Sequence, residues 1–306
     1  MNRSALTRSI LSGLLLISLL AVANPAAALN VFACEAEWGA LVDELAGELA
    51  TVTVATTAFQ DPHRLQARPS LIASARTADL LVCTGAELEV GWMPPLLLRS
   101  GNPNIQPGRP GNFLAADFVR RIEIPVRLDR AQGDVHPQGN PHIHLNPNNI
   151  ARVARELAQR LQQLDPANAQ QYQTRATDFL DRWDAAVERW EIRGEMLAGK
   201  RLVAHHTSFS YLADWLDLEI VATLESKPGI PPSASHLATL LEQLQPAPPL
   251  AIVRTPYDNE KPSAWLSQRL AVPALLLPYT IGGNDRANNL FELFEVTLTE
   301  LGALVL

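Results

Sequence analysis

Histidines cluster near the middle of the chain. The segment NPHIHLNPNN, from Asn140 to Asn149, holds His142 and His144 between two prolines, and His136 lies a few residues upstream. Neutral imidazole is a common ligand of zinc and of related divalent ions. The segment could be a complete metal site, one part of a larger site, or only a polar turn. The positions of the other histidines help to decide among these.

Other candidate ligands follow predicted strands. His63 comes after the strand TVTVATT, His205 and His206 come directly after RLVA, and Asp285 follows PALLLPYT. In open parallel α/β sheets, ligands bind at the carboxyl ends of the strands. A single histidine is more often a surface or hydrogen-bonded residue than a ligand, so their joint placement carries the argument. Three imidazoles and one carboxylate suit a divalent ion, with zinc first.

Strands alternate with helices from Leu29 to the end of the chain. This pattern predicts an α/β fold with two lobes, residues 29–165 and 199–306, each a mainly parallel sheet covered by helices. Between them, Tyr172, Trp183 and Trp190 recur at helical spacing. Residues 166–198 are therefore predicted to form one linker helix of about 30 residues, ~45 Å long, that can run along both lobes.

The amino terminus has the pattern of a secretory signal. Arg3 and Arg8 accompany an apolar run over residues 10–23, and small residues end it at Ala28. We predict a signal peptide over residues 1–28. The run is shorter than the roughly 20 residues of a membrane-spanning helix, and no cysteine directly follows it. A periplasmic protein without a lipid anchor is expected.

The charge balance excludes some partners. The chain has 25 basic and 32 acidic residues, and cleavage would remove two arginines, which changes the net charge from −7 to −9. A mildly acidic chain without a basic cluster argues against binding to nucleic acid. We expect a monomer.

Two cysteines end apolar runs that read as strands. Cys34 closes LNVFAC and Cys83 closes DLLVC. If those strands are neighbours in a parallel sheet, an exported chain can oxidise the pair to a disulfide. Two free core thiols are the alternative, and thiolate metal ligands are the least favoured, because the chain has no C-x-x-C motif.

Several motifs together resemble one family. TTAFQDPHRLQARPSLI, ADLLVCTGAELE, NPHIHLNPNN, HHTSFSYLADWL and PYTIGGND follow one another across nearly the whole chain after residue 28. In this order they resemble the zinc- and manganese-binding proteins of ABC importers, the ZnuA/TroA-like family. The resemblance implies two α/β lobes joined by a rigid helix, with a metal ion held in the cleft between the lobes.

The resemblance also implies a set of metal ligands. The histidines of the D-P-H and N-P-H motifs fall on His63 and His142. The histidine three residues before an aromatic falls on His206, with His205 as the second choice. The acid of the late loop falls on Asp285. Manganese-binding members tend to present Glu at the third position, so a histidine there favours zinc.

The chain departs from the family pattern in two places. Many zinc-binding members carry a long His-rich loop, whereas residues 127–138 hold only Asp129, Asp134 and His136 as ligand types. Delivery of zinc by a periplasmic metallochaperone is a possible substitute for such a loop. Asn146 stands where Asp is common, and an amide there can still orient a ligand imidazole.

The predicted function is a periplasmic receptor that captures zinc in the cleft and hands it to the membrane permease subunits of an ABC importer, without enzymatic activity. A manganese-binding homologue is one alternative. A periplasmic zinc hydrolase, with Asp285 or Glu225 as general base, is another, although the chain has no HExxH motif. A surface adhesin on the same scaffold is a third.

Overall fold

A computed structural model describes residues 28–127, 133 and 135–305. The predicted signal peptide, apart from its last residue, lies outside this range, as do Asp129 and Asp134. The strands are β1 Leu29–Ala33, β2 Ala50–Val54, β3 Leu80–Cys83, β4 Asn112–Leu114, β5 Arg201–Ala204, β6 Glu219–Thr223, β7 Ala251–Arg254 and β8 Ala274–Leu276. The helices are α1 Ala36–Ala46, α2 Pro69–Arg76, α3 Met93–Ser100, α4 Pro147–Leu164, α5 Ala169–Gly194, α6 Ser210–Leu216, α7 Ala234–Leu244, α8 Glu260–Leu270 and α9 Leu290–Gly302.

The strands form two parallel sheets, one in each lobe. The N-lobe is built on the order β2-β1-β3-β4 and the C-lobe on β6-β5-β7-β8, and every pairing is parallel. All four residues of β3 are buried, as expected for a strand covered on both faces. The two-lobed α/β fold is confirmed. β4 was not predicted, because its three residues follow a Gly- and Pro-rich stretch that indicates a loop.

Helix α5 joins the two lobes. It spans 26 residues, or ~39 Å, and short 3-10 turns extend it at Pro166–Asn168 and Glu195–Leu197. Trp183 and Trp190 are fully buried on it and belong to one apolar core that includes residues of both sheets. The helix therefore shares its packing with both lobes. Within the described part of the chain, no helix is long and apolar enough to cross a membrane.

The predicted disulfide is present in the N-lobe. Cys34 and Cys83 are bonded, with their Cα atoms 4.8 Å apart. Cys34 directly follows β1 and Cys83 ends β3, and these strands are neighbours in the sheet. Both sulfurs are enclosed by the core, so the bond ties two strands whose cysteines lie 49 residues apart in sequence.

Two carboxyl groups are buried beside this disulfide. Glu89 accepts hydrogen bonds from the backbone N–H groups of Thr84 and Gly85, at 2.8 and 3.1 Å. Glu35 accepts one from the Thr84 hydroxyl at 3.1 Å. Burial raises the pKa of Glu89 to about 7, and burial together with repulsion from Glu89 raises the pKa of Glu35. These groups hold protons in the folded chain at pH values where an unfolded chain has lost them.

Glu89 should make the free energy of unfolding fall as pH rises. Between about pH 4.5, where an unfolded glutamate ionises, and pH 7, the folded state binds more protons, so stability decreases by about 3 kcal/mol over this window. Glu89→Gln keeps an acceptor for the two N–H groups and should remove the part of this slope that Glu89 contributes, leaving the part from Glu35. Denaturant unfolding in EDTA at pH 5–8 measures it.

Glu188→Gln, on the exposed face of α5, is the matched control for this experiment and should keep the wild-type slope. If the Glu89 variant and the wild type show the same pH dependence, the buried carboxyl does not titrate in this window.

Candidate metal centre

His63 is oriented by the acid two residues before it. Asp61 Oδ1 accepts a hydrogen bond from the His63 backbone N–H at 3.0 Å and lies 2.8 Å from the ring Nδ1. Pro62, between them, fixes the backbone φ angle and needs no hydrogen-bond partner for its nitrogen. The Trp92 indole donates to the Pro62 carbonyl at 2.8 Å. Backbone and ring of His63 are thus both held.

His142 is oriented in the same way by an amide. Asn140 Oδ1 accepts from the His142 backbone N–H at 2.9 Å and lies 2.8 Å from the ring Nδ1, with Pro141 between the two residues. The Asn140 amide in turn donates to the carbonyl of Thr207 at 2.9 Å, in the C-lobe. The D-P-H and N-P-H segments therefore form one recurring local structure.

His206 is positioned from the C-lobe sheet. It follows β5, and Glu225 follows the neighbouring parallel strand β6. The Glu225 carboxylate lies 2.8 Å from the His206 Nδ1 and also accepts from the Gly229 N–H at 2.9 Å. Glu225 is therefore a partner of the imidazole that sets its orientation.

The three imidazoles converge. Ligand atoms of His63, His142 and His206 all lie within 4.8 Å of one another, and the ring centroids are 5.3 to 5.8 Å apart. Each Nδ1 faces an oxygen acceptor. The ring proton is therefore assigned to Nδ1, and the Nε2 lone pair is available to bind a metal ion. Nitrogens around a tetrahedral zinc ion are ~3.4 Å apart by bond length, so a modest contraction would bring the three nitrogens to that spacing.

The electrostatics favour metal over protons. Burial lowers the pKa of His142 well below its ordinary value, and the neighbouring His206 and His63 lower it further. The His142 Nε2 is buried without a hydrogen-bond partner. Burial alone would raise the pKa of Asp61, but the hydrogen bonds from His63 lower it overall. His142 thus offers a neutral imidazole with an unsatisfied Nε2, and the Asp61 carboxylate adds a negative charge beside His63. Both features favour a bound cation.

A fourth imidazole borders the centre. His136 Nε2 lies 3.2 Å from His63 Nε2, and the two ring centroids are 5.2 Å apart. His136 is half-buried, next to Asn140 and Thr207 at a small cleft of about 100 Å³. It reaches the His63 nitrogen that faces the centre.

The structure does not bring Asp285 to the histidines. Its side chain is exposed, beside Arg286 and Asn288 in a surface depression, and its carbonyl accepts from the Asn288 amide at 3.2 Å. The turn that carries it begins at Gly282, whose φ of 80° is open to glycine. This segment connects β8 to α9.

The remaining histidines have other partners. His205 is buried, with Nε2 3.9 Å from Asp258 Oδ1. His144 is fully buried and lies 2.8 Å from the Tyr279 carbonyl through its Nε2. His236 contacts the Thr223 carbonyl at 3.0 Å through its Nε2.

Sequence reasoning missed two of the residues that orient the converging imidazoles, and it gave a third residue a role that the structure does not show. Asp61 and Asn140 were not singled out, although the repeated Asx-Pro-His spacing is a signal that could have identified both. Asn146 was expected to be able to orient a ligand, but its side chain instead accepts from the Asn148 N–H at 3.0 Å and caps α4. Its position immediately before Pro147 is the ordinary signal of a helix N-cap.

Two parallel-sheet lobes on one long helix, with three oriented imidazoles brought together from both lobes, define a two-lobed solute-binding protein with a metal centre. The sequence matches the profile of the family described as "Zinc-uptake complex component A periplasmic" over residues 31–303. The chain belongs to this family of metal solute-binding proteins of ABC importers, which are not enzymes.

Individual relatives differ in their metal. The chain is 24% identical, over 73% of its length and 74% of the relative's, to the high-affinity zinc uptake system protein ZnuA of Paracoccus denitrificans. It is 22% identical to the manganese ABC transporter substrate-binding lipoprotein PsaA of Streptococcus pneumoniae, over 70% and 68% of the two chains. A crystal structure of ZnuA superposes with a TM-score of 0.74 at 19% identity, covering 90% of this chain and 98% of that one. These matches support the fold, but they include both zinc and manganese proteins and so do not decide which metal this chain binds.

The orienting role of Asp61 can be tested by two substitutions. Asp61→Ala removes the acceptor for the His63 ring and should weaken zinc binding about 10- to 100-fold, the usual cost of losing such a partner. Asp61→Asn keeps an oxygen acceptor, as Asn140 does for His142, and should stay close to wild type. Competition titration with a zinc chelator measures both, and equal affinities for the two variants would contradict the role.

Proposed function

We propose that this protein is the periplasmic receptor of an ABC importer and that it captures zinc with His63, His142 and His206. The observation that carries the proposal is the convergence of three imidazoles whose Nδ1 atoms are each 2.8 Å from an oxygen. A centre of nitrogen ligands favours zinc over manganese, which prefers carboxylates and water. The zinc-binding relatives agree with this choice, and the manganese-binding relatives define the alternative.

The fourth ligand remains a prediction. Asp285 is the ligand that the family resemblance implies, and its use requires the segment 281–289 to turn toward the histidines. His136 already touches His63 and could occupy the fourth position without that movement. Four protein ligands would fill the coordination sphere of the ion and leave no position for water or for a molecule to be hydrolysed, as expected of a receptor.

Capture and release then differ by a local rearrangement. Zinc bound to three neutral imidazoles draws their Nε2 atoms together across the lobe boundary. Release to the permease needs one of the three, or the fourth ligand, to withdraw. We propose that the protein acts as a monomer toward the membrane subunits, and that a periplasmic metallochaperone can load it in place of a long His-rich loop.

Membership in a family of solute-binding proteins argues against the hydrolase alternative. Glu225, considered as a general base, accepts hydrogen bonds from His206 and from the Gly229 N–H. A carboxylate engaged in this way orients the ligand. Asp285, the other base considered, is exposed and is not part of the group formed by the three histidines.

Zinc binding is tested by equilibrium dialysis followed by metal analysis. We expect one zinc per chain, and loss of stoichiometric binding in His206→Ala. His205→Ala, at the adjacent residue, is the matched control and should keep binding. The opposite result, with only the His205 change abolishing binding, would show that the register at this pair is wrong.

The metal preference is tested by His206→Glu. An oxygen ligand in place of imidazole should narrow the ratio of zinc to manganese affinities, measured by competition with both ions present. An unchanged ratio would mean that this residue does not set the preference.

The fourth ligand is tested by comparing Asp285→Ala with His136→Ala. The variant that lacks the true fourth ligand should lose more affinity than the 10- to 100-fold typical of an orienting residue, and the other should remain near wild type. If neither loses affinity, the fourth position is filled by neither side chain.

A further inference from the structure

Glu37 is a carboxylate buried at the boundary between the lobes. It lies in the first turn of α1, where the helix dipole favours an acidic group, and it is fully buried. Its Oε2 accepts a hydrogen bond from the Thr280 hydroxyl at 2.5 Å. Thr280 belongs to the C-lobe, 243 residues further along the chain. One buried hydrogen bond therefore connects the two lobes.

His144 makes the second connection. Its Nε2 donates to the Tyr279 carbonyl at 2.8 Å, and its Nδ1 lies 3.3 Å from Glu37 Oε1. Two N-lobe side chains thus hold two successive residues of the C-lobe, one through a backbone carbonyl and one through a hydroxyl. We call Glu37 and His144 together the interlobe anchor.

The anchored residues lead to the metal centre and to the Asp285 turn. The Tyr279 ring centroid lies 5.8 Å from that of His142 and 4.7 Å from that of His144. The Gly283 N–H donates to the Thr280 carbonyl at 3.1 Å, which begins the turn toward Asp285. A shift of Tyr279 and Thr280 would move both the wall beside His142 and the base of this turn.

Apolar side chains could fill the same space without the cost of burying a carboxylate and an imidazole, which is large unless the groups are paired. What the polar pair adds is direction, because hydrogen bonds fix the partner atoms and apolar packing does not. The anchor is therefore suited to fixing one relative position of two segments. Neither of its residues is among the three converging imidazoles.

We propose that the interlobe anchor is a positioning device for metal retention: Glu37 and His144 fix Tyr279 and Thr280 against His142, and this sets how slowly the centre releases its ion. The inference rests on the proposed metal binding and adds to it a residue outside the ligand set. Glu37 acts through Thr280 and does not bind the ion.

The test is the substitution Thr280→Val, which removes the hydroxyl and keeps the shape of the side chain. The zinc dissociation rate, measured by stopped-flow capture with a chromogenic chelator, should rise about tenfold. Glu37→Gln keeps an oxygen acceptor for the Thr280 hydroxyl and places an amide N–H toward the His144 Nδ1, and its rate should stay within threefold of wild type. Thr297→Val is the matched control, because that buried hydroxyl donates within α9, to the Leu293 carbonyl at 2.7 Å.

A second measurement tests the interlobe anchor in the metal-free protein. Hydrogen exchange of the metal-free protein should show faster exchange at Gly282, Gly283 and Ala287 in Thr280→Val and no change there in Thr297→Val. Equal zinc dissociation rates for the two threonine variants would overturn the proposal. Failure of the proposed function would give a different result. The wild type itself would not bind stoichiometric zinc, and His206→Ala would have the same zinc content as the wild type.

Discussion

The metal centre depends on one repeated interaction, in which an oxygen two residues before a histidine accepts hydrogen bonds from both its backbone N–H and its ring Nδ1. Asp61 does this for His63 and Asn140 does it for His142. The intervening proline limits the backbone to the conformation that makes both bonds. The orientation of each N-lobe imidazole is therefore encoded within three residues, and the fold only has to bring the two segments together.

The fold performs that task through the parallel sheets. Strands of a parallel sheet end at the same edge, so the segments that follow them meet there. His206 follows β5 and its partner Glu225 follows β6, and the pairing of these strands brings the imidazole and the carboxylate together. Helix α5 then holds the two sheet edges opposite each other, because its buried tryptophans share one core with both lobes.

Sequence alone predicted the parts of this arrangement that follow from periodicity and strand ends. The two lobes, the connecting helix and the disulfide between the ends of β1 and β3 are confirmed by the structure. The position of Asp285 could not be derived, because β8 ends at Leu276, well before it, and the intervening turn with Gly282 and Gly283 permits several directions. Glu37 was also missed, since a single acid in an amphipathic helix gives no sign of a partner 243 residues away.

The disulfide crosslinks one lobe and not the other. It crosslinks cysteines 49 residues apart in the N-lobe, and such a loop closure contributes about 4 kcal/mol through the entropy of the unfolded chain. The C-lobe contains no cysteine. Local opening begins in the least stable parts of a protein, and the crosslink opposes it in the lobe that carries His63 and His142. The C-lobe, which carries His206, has no such crosslink, so local opening should reach His206 more readily than the two N-lobe imidazoles.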